Sequence, residues 1–366
     1  MLEMNCSWLF APAAMLYGVA AVLRNTLFDC GILCSRSFPL PVICVGNLAV
    51  GGTGKTPHVE YILQLLHTHG YKVAMLSRGY GRKTRGFRVC SGDDTAHEVG
   101  DEPLQISRNC SFATVAVCED RCAGIERLLT DSEGPNVIVL DDAMQHRYVK
   151  PGLTILLTDS HSPYTSDHML PWGRLREPRS GAKRADVVVV TKCEAETLPQ
   201  IPVLQRQALC HTGLVYGEPY LFPVQQNVSE NNEEKLQIEG AVVLVITGIA
   251  SPEALYTHVR ASKPRKMVGL RFPDHHEFTS VDVEKINNAY SCLLNAFPSN
   301  TQRLALTTEK DAVRLSMCDG LSEDLRTSLW VQPIRIEQLD NNQNKPTLNQ
   351  IILNYVRENQ RNSLLD

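Results

Sequence analysis

The most constraining feature of this sequence is a glycine-rich stretch between an apolar run and a helical pattern. Residues 45–59 read VGNLAVGGTGKTPHV and continue the β-rich run PVICV at 41–45. Residues 59–66 then carry apolar side chains at the spacing of one helix face. The stretch therefore predicts a strand, a tight glycine turn and a helix in direct succession.

This order is typical of a phosphate-binding loop, where backbone N–H groups and a helix N-terminus favour the negative charge of phosphate. The usual pattern, G-x-x-x-x-G-K-[ST], would place its first glycine at position 49, where this chain has Ala49. An alanine is compatible with the turn if its φ is negative. The residues expected to bind a nucleoside triphosphate are Gly51, Gly52, Thr53, Gly54, Lys55 and Thr56.

A second apolar run ends in two acidic residues and predicts a metal site. Residues 137–140 read VIVL and lead directly into Asp141 and Asp142. In nucleotide-binding loops of this kind, the lysine reaches the β- and γ-phosphates and the following hydroxyl binds Mg²⁺. We therefore expect Lys55 on the phosphates, and Thr56 with Asp141 or Asp142 on Mg²⁺, directly or through water.

The remaining apolar runs indicate the fold class. Uninterrupted runs at 73–76, 137–140, 153–157 and 187–190 suit a parallel sheet that is covered on both faces. Their alternation with helical segments predicts an α/β fold of the P-loop NTPase type, with a doubly wound, mostly parallel sheet. A second, smaller α/β domain is predicted after a polar stretch. The expected segments are 1–30 (apolar N-terminal helix), 31–223 (P-loop domain), 224–240 (linker or exposed hairpin) and 241–366 (C-terminal domain).

The N-terminus carries sixteen residues without a charge, WLFAPAAMLYGVAAVL at 8–23. A bilayer span needs about 20 apolar residues, and Pro12 interrupts this run. Two interpretations stay open besides a true span. The segment is either a helix buried on the core, or a helix lying in the membrane interface with Trp8 and Tyr17 as amphipathic anchors.

Charge and cysteine usage exclude some classes of partner and compartment. The net charge of −4 over 366 residues gives no reason to expect a nucleic-acid partner. The twelve cysteines include no C-x-x-C pair and no spacing typical of zinc ligands. We interpret them as reduced thiols of a cytosolic protein.

Several motifs together resemble the tetraacyldisaccharide 4′-kinases, the lipid A 4′-kinases of Gram-negative bacteria. They run in order over most of the chain, and the less generic ones are GDEP, LREP and FPDHHEF. The chain departs from the family's usual DDGFQH, because it has Ala143 and Met144 in DDAMQH. The matching segments are 45–57 (VGNLAVGGTGKTP), 77–83 (SRGYGRK), 100–103 (GDEP), 140–147 (LDDAMQHR), 175–178 (LREP), 183–192 (KRADVVVVTK), 272–278 (FPDHHEF) and 307–315 (TTEKDAVRL).

The resemblance implies transfer of the γ-phosphoryl group of ATP to the 4′-hydroxyl of an acylated glucosamine disaccharide 1-phosphate, with Mg²⁺ as metal. It also implies a protein at the cytoplasmic face of the inner membrane, bound peripherally or anchored by its N-terminus. Under that expectation, residues 8–23 are an interfacial helix.

The resemblance further implies roles for single residues. Asp101 is expected to accept the hydroxyl proton, with His275 orienting it and Lys55 acting on the phosphates. Glu177 is expected as a third acidic contributor to Mg²⁺. The residues expected to contact the substrate are Arg78, Arg82, Gln145, His146 and Asp274.

Other interpretations of these residues stay open on sequence alone. Asp101 is also compatible with a helix cap, and residues 274–276 with a surface turn or a zinc site. Arg176 and Glu177 are compatible with an exposed ion pair. Two basic clusters are compatible with a solvated surface, or with contact to the substrate's 1-phosphate or to anionic lipid headgroups. They are Arg78, Arg82, Lys83, Arg85 and Arg88, and Arg174, Arg176, Arg179, Lys183 and Arg184.

Two other functions also stay open. One is a P-loop GTPase acting as a switch or a metal-insertion factor, with residues 191–194 (TKCE) on guanine and the pair His275 and His276 on the metal. The other is a soluble small-molecule kinase whose N-terminal helix belongs to the core.

Overall fold

The computed structural model of the chain describes residues 10–130, 134–222, 236–274, 276–339 and 346–363. It divides into two units. The first runs to Val215 and resumes at Ile336, and the second is Tyr216–Arg335. The predicted linker at 224–240 lies mostly outside the described residues.

The first unit is built on a nine-stranded sheet in the order β14-β8-β7-β6-β1-β5-β2-β4-β3. The strands from β8 to β4 are parallel to their neighbours, and β3 is antiparallel to β4. The strands are β1 (Val42–Asn47), β2 (Val73–Ser77), β3 (Arg88–Val89), β4 (Thr114–Val117), β5 (Val137–Asp141), β6 (Leu153–Asp159), β7 (Val187–Thr191), β8 (Ala208–Tyr216) and β14 (Ile334–Gln338).

Helices cover both faces of this sheet, so each face buries its own apolar core. The core on one face includes Leu63 and Ile106, and the core on the other face includes Ile125. This arrangement confirms the predicted doubly wound, mostly parallel α/β fold. The helices of the unit are α1 (Ala11–Asp29), α2 (Lys55–Thr68), α3 (Ala96–Val99), α4 (Asp101–Asn109), α5 (Arg121–Leu129) and α10 (Leu348–Ser363), with a 3₁₀ helix at Arg179–Arg184.

The C-terminal helix belongs to the first unit, which differs from the predicted boundary of 241–366 for the second domain. The stripe Leu348, Ile352 and Val356 is buried in the same core as α2. The Tyr355 hydroxyl also bonds the backbone of Val42 at the start of β1, at 3.1 and 3.2 Å. An amphipathic stripe shows that a helix is buried, but it does not show which sheet buries it.

The second unit has a five-stranded sheet in the order β11-β10-β12-β13-β9. Its strands are parallel except for the β13–β9 pair. The predicted smaller α/β domain is therefore present. Its strands are β9 (Tyr220–Leu221), β10 (Val242–Thr247), β11 (Lys266–Arg271), β12 (Arg303–Thr308) and β13 (Leu329–Gln332), and its helices are α6 (Glu253–Ala261), α7 (Ser280–Ala296), α8 (Glu309–Leu315) and α9 (Glu323–Arg326).

Helix α1 keeps most of its apolar side chains in solvent. Leu16 is 74% exposed and Leu23 61%, whereas Ala14 and Phe28 are buried against the first unit. Within the described ranges, no helix is long and apolar enough to cross a bilayer. The described cysteines are all free thiols.

Candidate active site

The glycine-rich loop joins β1 to α2 at the carboxyl end of the sheet, beside the point where the strand order reverses. Gly51 and Gly54 have φ values of +108° and +80°, which favour glycine. Ala49 is not among the described non-glycine residues with positive φ, and it forms a bridge to Leu175 instead. The alanine therefore occupies ordinary extended backbone, and the missing glycine leaves the turn intact.

Asp141 is a buried carboxylate with one bare oxygen. It ends β5 and pairs in register with Val45 of β1. Its Oδ2 accepts a hydrogen bond from Ser77 at 3.2 Å, while the buried Oδ1 has no partner within the described residues. Burial, then the nearby charges of Glu102 and Asp142, raise the pKa of Asp141 to about 7. A buried carboxylate oxygen without a donor fits a metal-ion ligand.

Asp142 differs from Asp141 because both of its oxygens are engaged. The Arg176 guanidinium donates Nη1 to Oδ2 at 2.9 Å and Nη2 to Oδ1 at 2.7 Å. Lys55 Nζ lies 3.7 Å from Oδ2. Burial alone would raise the pKa of Asp142, but the hydrogen bonds from Arg176 and the charge of Lys55 outweigh it and lower the pKa. Asp142 is therefore an ionised anchor for the two cations.

Glu177, predicted as a third contributor to Mg²⁺, has a full set of other partners. Arg184 donates to both of its oxygens, at 2.7 and 2.8 Å. Gln145 donates to Oε1 at 2.8 Å and Asn25 to Oε2 at 3.1 Å. A carboxylate offers about four acceptor positions, and these bonds use all of them. Glu177 is buried and ion-paired, so neither the metal role nor the exposed ion pair with Arg176 describes this structure.

Gln145 and His146 lie next to this network. Gln145 Nε2 also donates to the backbone oxygen of Asn47, at 2.8 Å, which connects the end of β1 to Glu177. Burial, then the positive charge of Arg121, lower the pKa of His146 to about 4. Its Nε2 is buried without a partner in the described structure, so this imidazole is neutral and keeps one ring nitrogen for a ligand.

A mixed group of possible metal ligands lies at the same histidine. Ligand atoms of Asp120, Cys122 and His146 are all within 4.8 Å of one another. Burial, then the charges of three arginines, lower the pKa of His146, while the charge of Asp120 raises it; the arginines are Arg121, Arg24 and Arg78. The nearby positive charges disfavour the binding of a cation at this group.

The two arginines predicted to contact substrate have different surroundings. Arg78 is exposed. Arg82 has a buried side chain whose Nη2 donates to Glu119 and to the Gly86 backbone oxygen, both at 2.7 Å. The Arg82 side chain therefore joins the turn at residues 82–86 to Glu119, just before α5. Of the two, Arg78 is the exposed one, and the substrate role of both stays a prediction.

The predicted base residues fall in both units. Asp101 is the first residue of α4, with Gly100 as the N-cap. Its neighbour Glu102 lies close enough to Asp141 to raise the pKa of that residue. In the second unit, Asp274 follows β11, and its Oδ1 lies 4.0 Å from Lys310 Nζ. His275 lies outside the described residues, and its role stays a prediction.

Helix α1 is attached to the segments that carry this site. The Tyr17 hydroxyl donates to the Arg176 backbone oxygen at 2.9 Å, and Arg24 Nη2 donates to the Gln145 backbone oxygen at 2.9 Å. Asn25 donates to Glu177. One side of the helix is therefore fixed to the site, while its apolar residues stay exposed.

Comparison with known proteins places the chain in a family. A family model described as tetraacyldisaccharide-1-P 4′-kinase matches residues 6–354. The chain belongs to this family.

Individual relatives agree with the assignment to the 4′-kinases. Proteins named tetraacyldisaccharide 4′-kinase from Bacteroides fragilis and Flavobacterium psychrophilum are 46% and 39% identical to the chain. The alignments cover 98% and 96% of this chain and 95% and 97% of theirs. A crystal structure of LpxK from Aquifex aeolicus, described as an "apo" form in complex with ATP, matches with a TM-score of 0.71 at 26% identity. It covers 96% of this chain and 99% of that one.

Sequence reasoning missed the basic partners of the site in this 4′-kinase family member. Arg176 and Arg184 were grouped with the surface cations, yet each binds a carboxylate of the site. Asn47 also went unnoticed, although its side chain bonds Thr53 Oγ1 at 2.8 Å. The available signal was their position, because Arg176 stands inside LREP and Asn47 directly before the glycine loop.

Asp141→Asn tests the bare buried carboxylate. Between about pH 4 and pH 7 the unfolded chain releases this proton while the folded chain keeps it, so wild-type stability falls as pH rises through that window. We expect the variant to have a higher Tm than the wild type in EDTA, by a difference that grows to about pH 7 and then levels.

The measurement is scanning calorimetry at several pH values, with Asp93→Asn at an exposed carboxylate as the control. Parallel pH profiles for Asp141→Asn and the wild type would contradict the assignment.

Proposed function

We propose that this chain transfers the γ-phosphoryl group of ATP to the 4′-hydroxyl of tetraacyldisaccharide 1-phosphate, at the carboxyl end of the first sheet. The observation that carries the proposal is the buried Asp141 with a bare oxygen, beside the Gly51–Thr56 loop, in a member of the 4′-kinase family. The product is a bisphosphorylated acylated disaccharide.

The nucleotide side of the reaction rests on the loop and on Lys55. Backbone N–H groups of the loop and the N-terminus of α2 favour phosphate charge. Asp142 holds Lys55 at 3.7 Å, which keeps the ammonium group at the loop. The crystal structure of the Aquifex aeolicus relative is described as a complex with ATP, which supports ATP as the donor.

The bare oxygen of Asp141 is the protein ligand that best fits Mg²⁺, together with the Thr56 hydroxyl. Asp142 is less suited to direct contact, because Arg176 occupies both of its oxygens. Bound there, Mg²⁺ would neutralise charge on the β- and γ-phosphates. Glu177 is not assigned to the metal, since its four acceptor positions are filled.

We assign the role of proton acceptor to Asp101. A carboxylate in the first turn of a helix is stabilised by the helix dipole, and Asp101 begins α4. In this role it would take the proton of the 4′-hydroxyl as the oxygen attacks the γ-phosphorus. The roles expected for Asp274 and for His275, which lies outside the described residues, stay predictions. Arg78 and the neutral His146 would bind polar groups of the acceptor.

The acceptor is a lipid, and α1 is the element suited to meet it. Its exposed residues include Met15, Leu16 and Val19, which are 59–74% exposed. Arg24 is an exposed cation in the second half of α1, and anionic headgroups attract such charges, whereas Arg36 beyond the helix is ion-paired with Glu126. We place the protein peripherally on the cytoplasmic face of the inner membrane, with α1 in the interface.

The direct test is transfer of labelled phosphate from ATP to the acylated disaccharide 1-phosphate in the presence of Mg²⁺. Asp101→Asn should lower kcat at least about 100-fold, because a positioned base is lost. Its Kd for ATP should stay within about twofold of the wild type, since Asp101 has no assigned role in the loop.

Asp93→Asn, an exposed carboxylate of the same unit, is the control and should keep wild-type kcat. Unchanged turnover in Asp101→Asn would remove Asp101 from the base role. Tight binding of GTP with weak binding of ATP by the wild type would favour the GTPase instead.

Leu16→Glu combined with Leu23→Glu tests the membrane contact. Each change places a charge on the exposed apolar side of α1, where burial in lipid becomes unfavourable. We expect co-sedimentation with anionic phospholipid vesicles to fall at least about fivefold, with unchanged Kd for ATP. Val281→Glu, at a 70% exposed position of α7, is the matched control. Vesicle binding equal to the wild type would contradict the interfacial role.

A further inference from the structure

The carbonyl groups at the end of the phosphate loop are held by side chains from outside the loop. The Thr191 hydroxyl donates to the Thr53 oxygen at 3.0 Å. A ring nitrogen of His58 lies 2.6 Å from the Gly54 oxygen. Gly54 directly precedes Lys55 and has a φ of +80°. These two contacts act on the residues that set the path of the chain into Lys55 and Thr56.

The Gly54 oxygen depends on His58 for both of its hydrogen bonds. The backbone N–H of His58 also donates to it, at 3.3 Å, which is long for an opening helical bond. The ring contact at 2.6 Å is much the shorter of the two. The side chain therefore supplies the stronger interaction at the point where α2 begins.

The contact with Gly54 fixes the tautomer of the ring, and the second ring nitrogen ties α2 to the sheet. A carbonyl oxygen only accepts, so the nitrogen facing Gly54, Nδ1, must carry the hydrogen. Nε2 then accepts from the Thr212 hydroxyl of β8, at 2.9 Å. The Thr212 backbone oxygen in turn accepts from Cys193 N at 2.9 Å, in the segment that follows β7.

His58 is 1% exposed, and burial lowers the pKa of its imidazole to about 4. The ring is therefore neutral throughout the physiological range. The ring has one donor and one acceptor, each with a single partner. It therefore links α2 to β8 in one fixed orientation and does not change its protonation state in this range.

We propose that His58 is a positioning residue for nucleotide binding: through its Nδ1–H bond it holds the Gly54 carbonyl away from the phosphates. A carbonyl oxygen turned inward would repel the phosphate charge and misplace Lys55. The inference rests on the proposed function only in taking the loop as the nucleotide site. It makes no assumption about the phosphoryl acceptor.

The test compares two amides at this position by their Kd for ATP and Mg²⁺, without acceptor. An asparagine amide reaches the place of Nδ1, whereas a glutamine amide reaches the place of Nε2. His58→Gln, which loses the Gly54 bond, should raise the Kd for ATP about tenfold. His58→Asn, which is able to donate to Gly54, should recover most of that loss.

Both variants lose the buried ring, so both should have a lower Tm than the wild type. A loss of stability that they share does not explain a difference between their Kd values for ATP. His69→Gln, at an exposed histidine just after α2, is the control and should bind ATP like the wild type. Equal Kd values for His58→Gln and His58→Asn would overturn the proposal.

Thr212→Val provides a second route if the glutamine variant does not fold. It removes the hydroxyl that holds Nε2 and leaves the loop sequence unchanged. We expect a rise of about threefold in the Kd for ATP, and an unchanged Kd would contradict the positioning role of His58. In phosphate-transfer assays, the KM for ATP should rise in His58→Gln and Thr212→Val while the KM for the acylated disaccharide stays constant.

These binding measurements also separate this inference from the proposed function. Failure of the wild type to phosphorylate the acylated disaccharide would contradict the proposed 4′-kinase activity. The order of the Kd values for ATP would still decide the role of His58.

Discussion

The paired hydrogen bonds between Arg176 and Asp142 are the interaction on which the site depends. They join the end of β5 to the LREP segment, and the same guanidinium also donates to the Asn47 side chain at the end of β1. The Arg176 backbone N–H bonds the Leu48 oxygen at 2.7 Å. The pair is part-buried, with 24% of the Arg176 side chain and 29% of the Asp142 side chain exposed, so removing one partner would leave Asp142 with Lys55 alone or Arg176 with Asn47 alone.

This interaction also gives two adjacent carboxylates, Asp141 and Asp142, different roles. Because Arg176 occupies Asp142, that residue stays ionised and holds Lys55, while Asp141 keeps a bare oxygen in a buried position. Glu177 extends the same network to α1 through Asn25. The helix proposed to lie on the membrane is thus joined by hydrogen bonds to the groups proposed to bind the nucleotide and the metal.

The sequence predicted the parts that depend on local pattern. The strand, loop and helix from Val42 to Thr68 follow from residue order, and uninterrupted apolar strands imply a sheet covered on both faces. The sequence does not predict which arginine pairs with which carboxylate, because several of each are present and only the fold brings particular pairs together. The motifs therefore predict Mg²⁺ as the partner of Glu177 and substrate as the partner of Arg82, whereas the fold pairs them with Arg184 and Glu119. The return of α10 to the first unit also depends on long-range packing that a helical stripe does not specify.

A double-mutant cycle on the Kd for ATP and Mg²⁺ tests the central interaction most directly, using Arg176→Gln, Asp142→Asn and the double variant. If the pair acts as a unit, each single change should weaken binding at least about tenfold, and the double variant should bind no more weakly than the weaker single variant. The coupling would then be at least about 1.4 kcal/mol. A double variant whose loss equals the product of the two single losses would contradict the account.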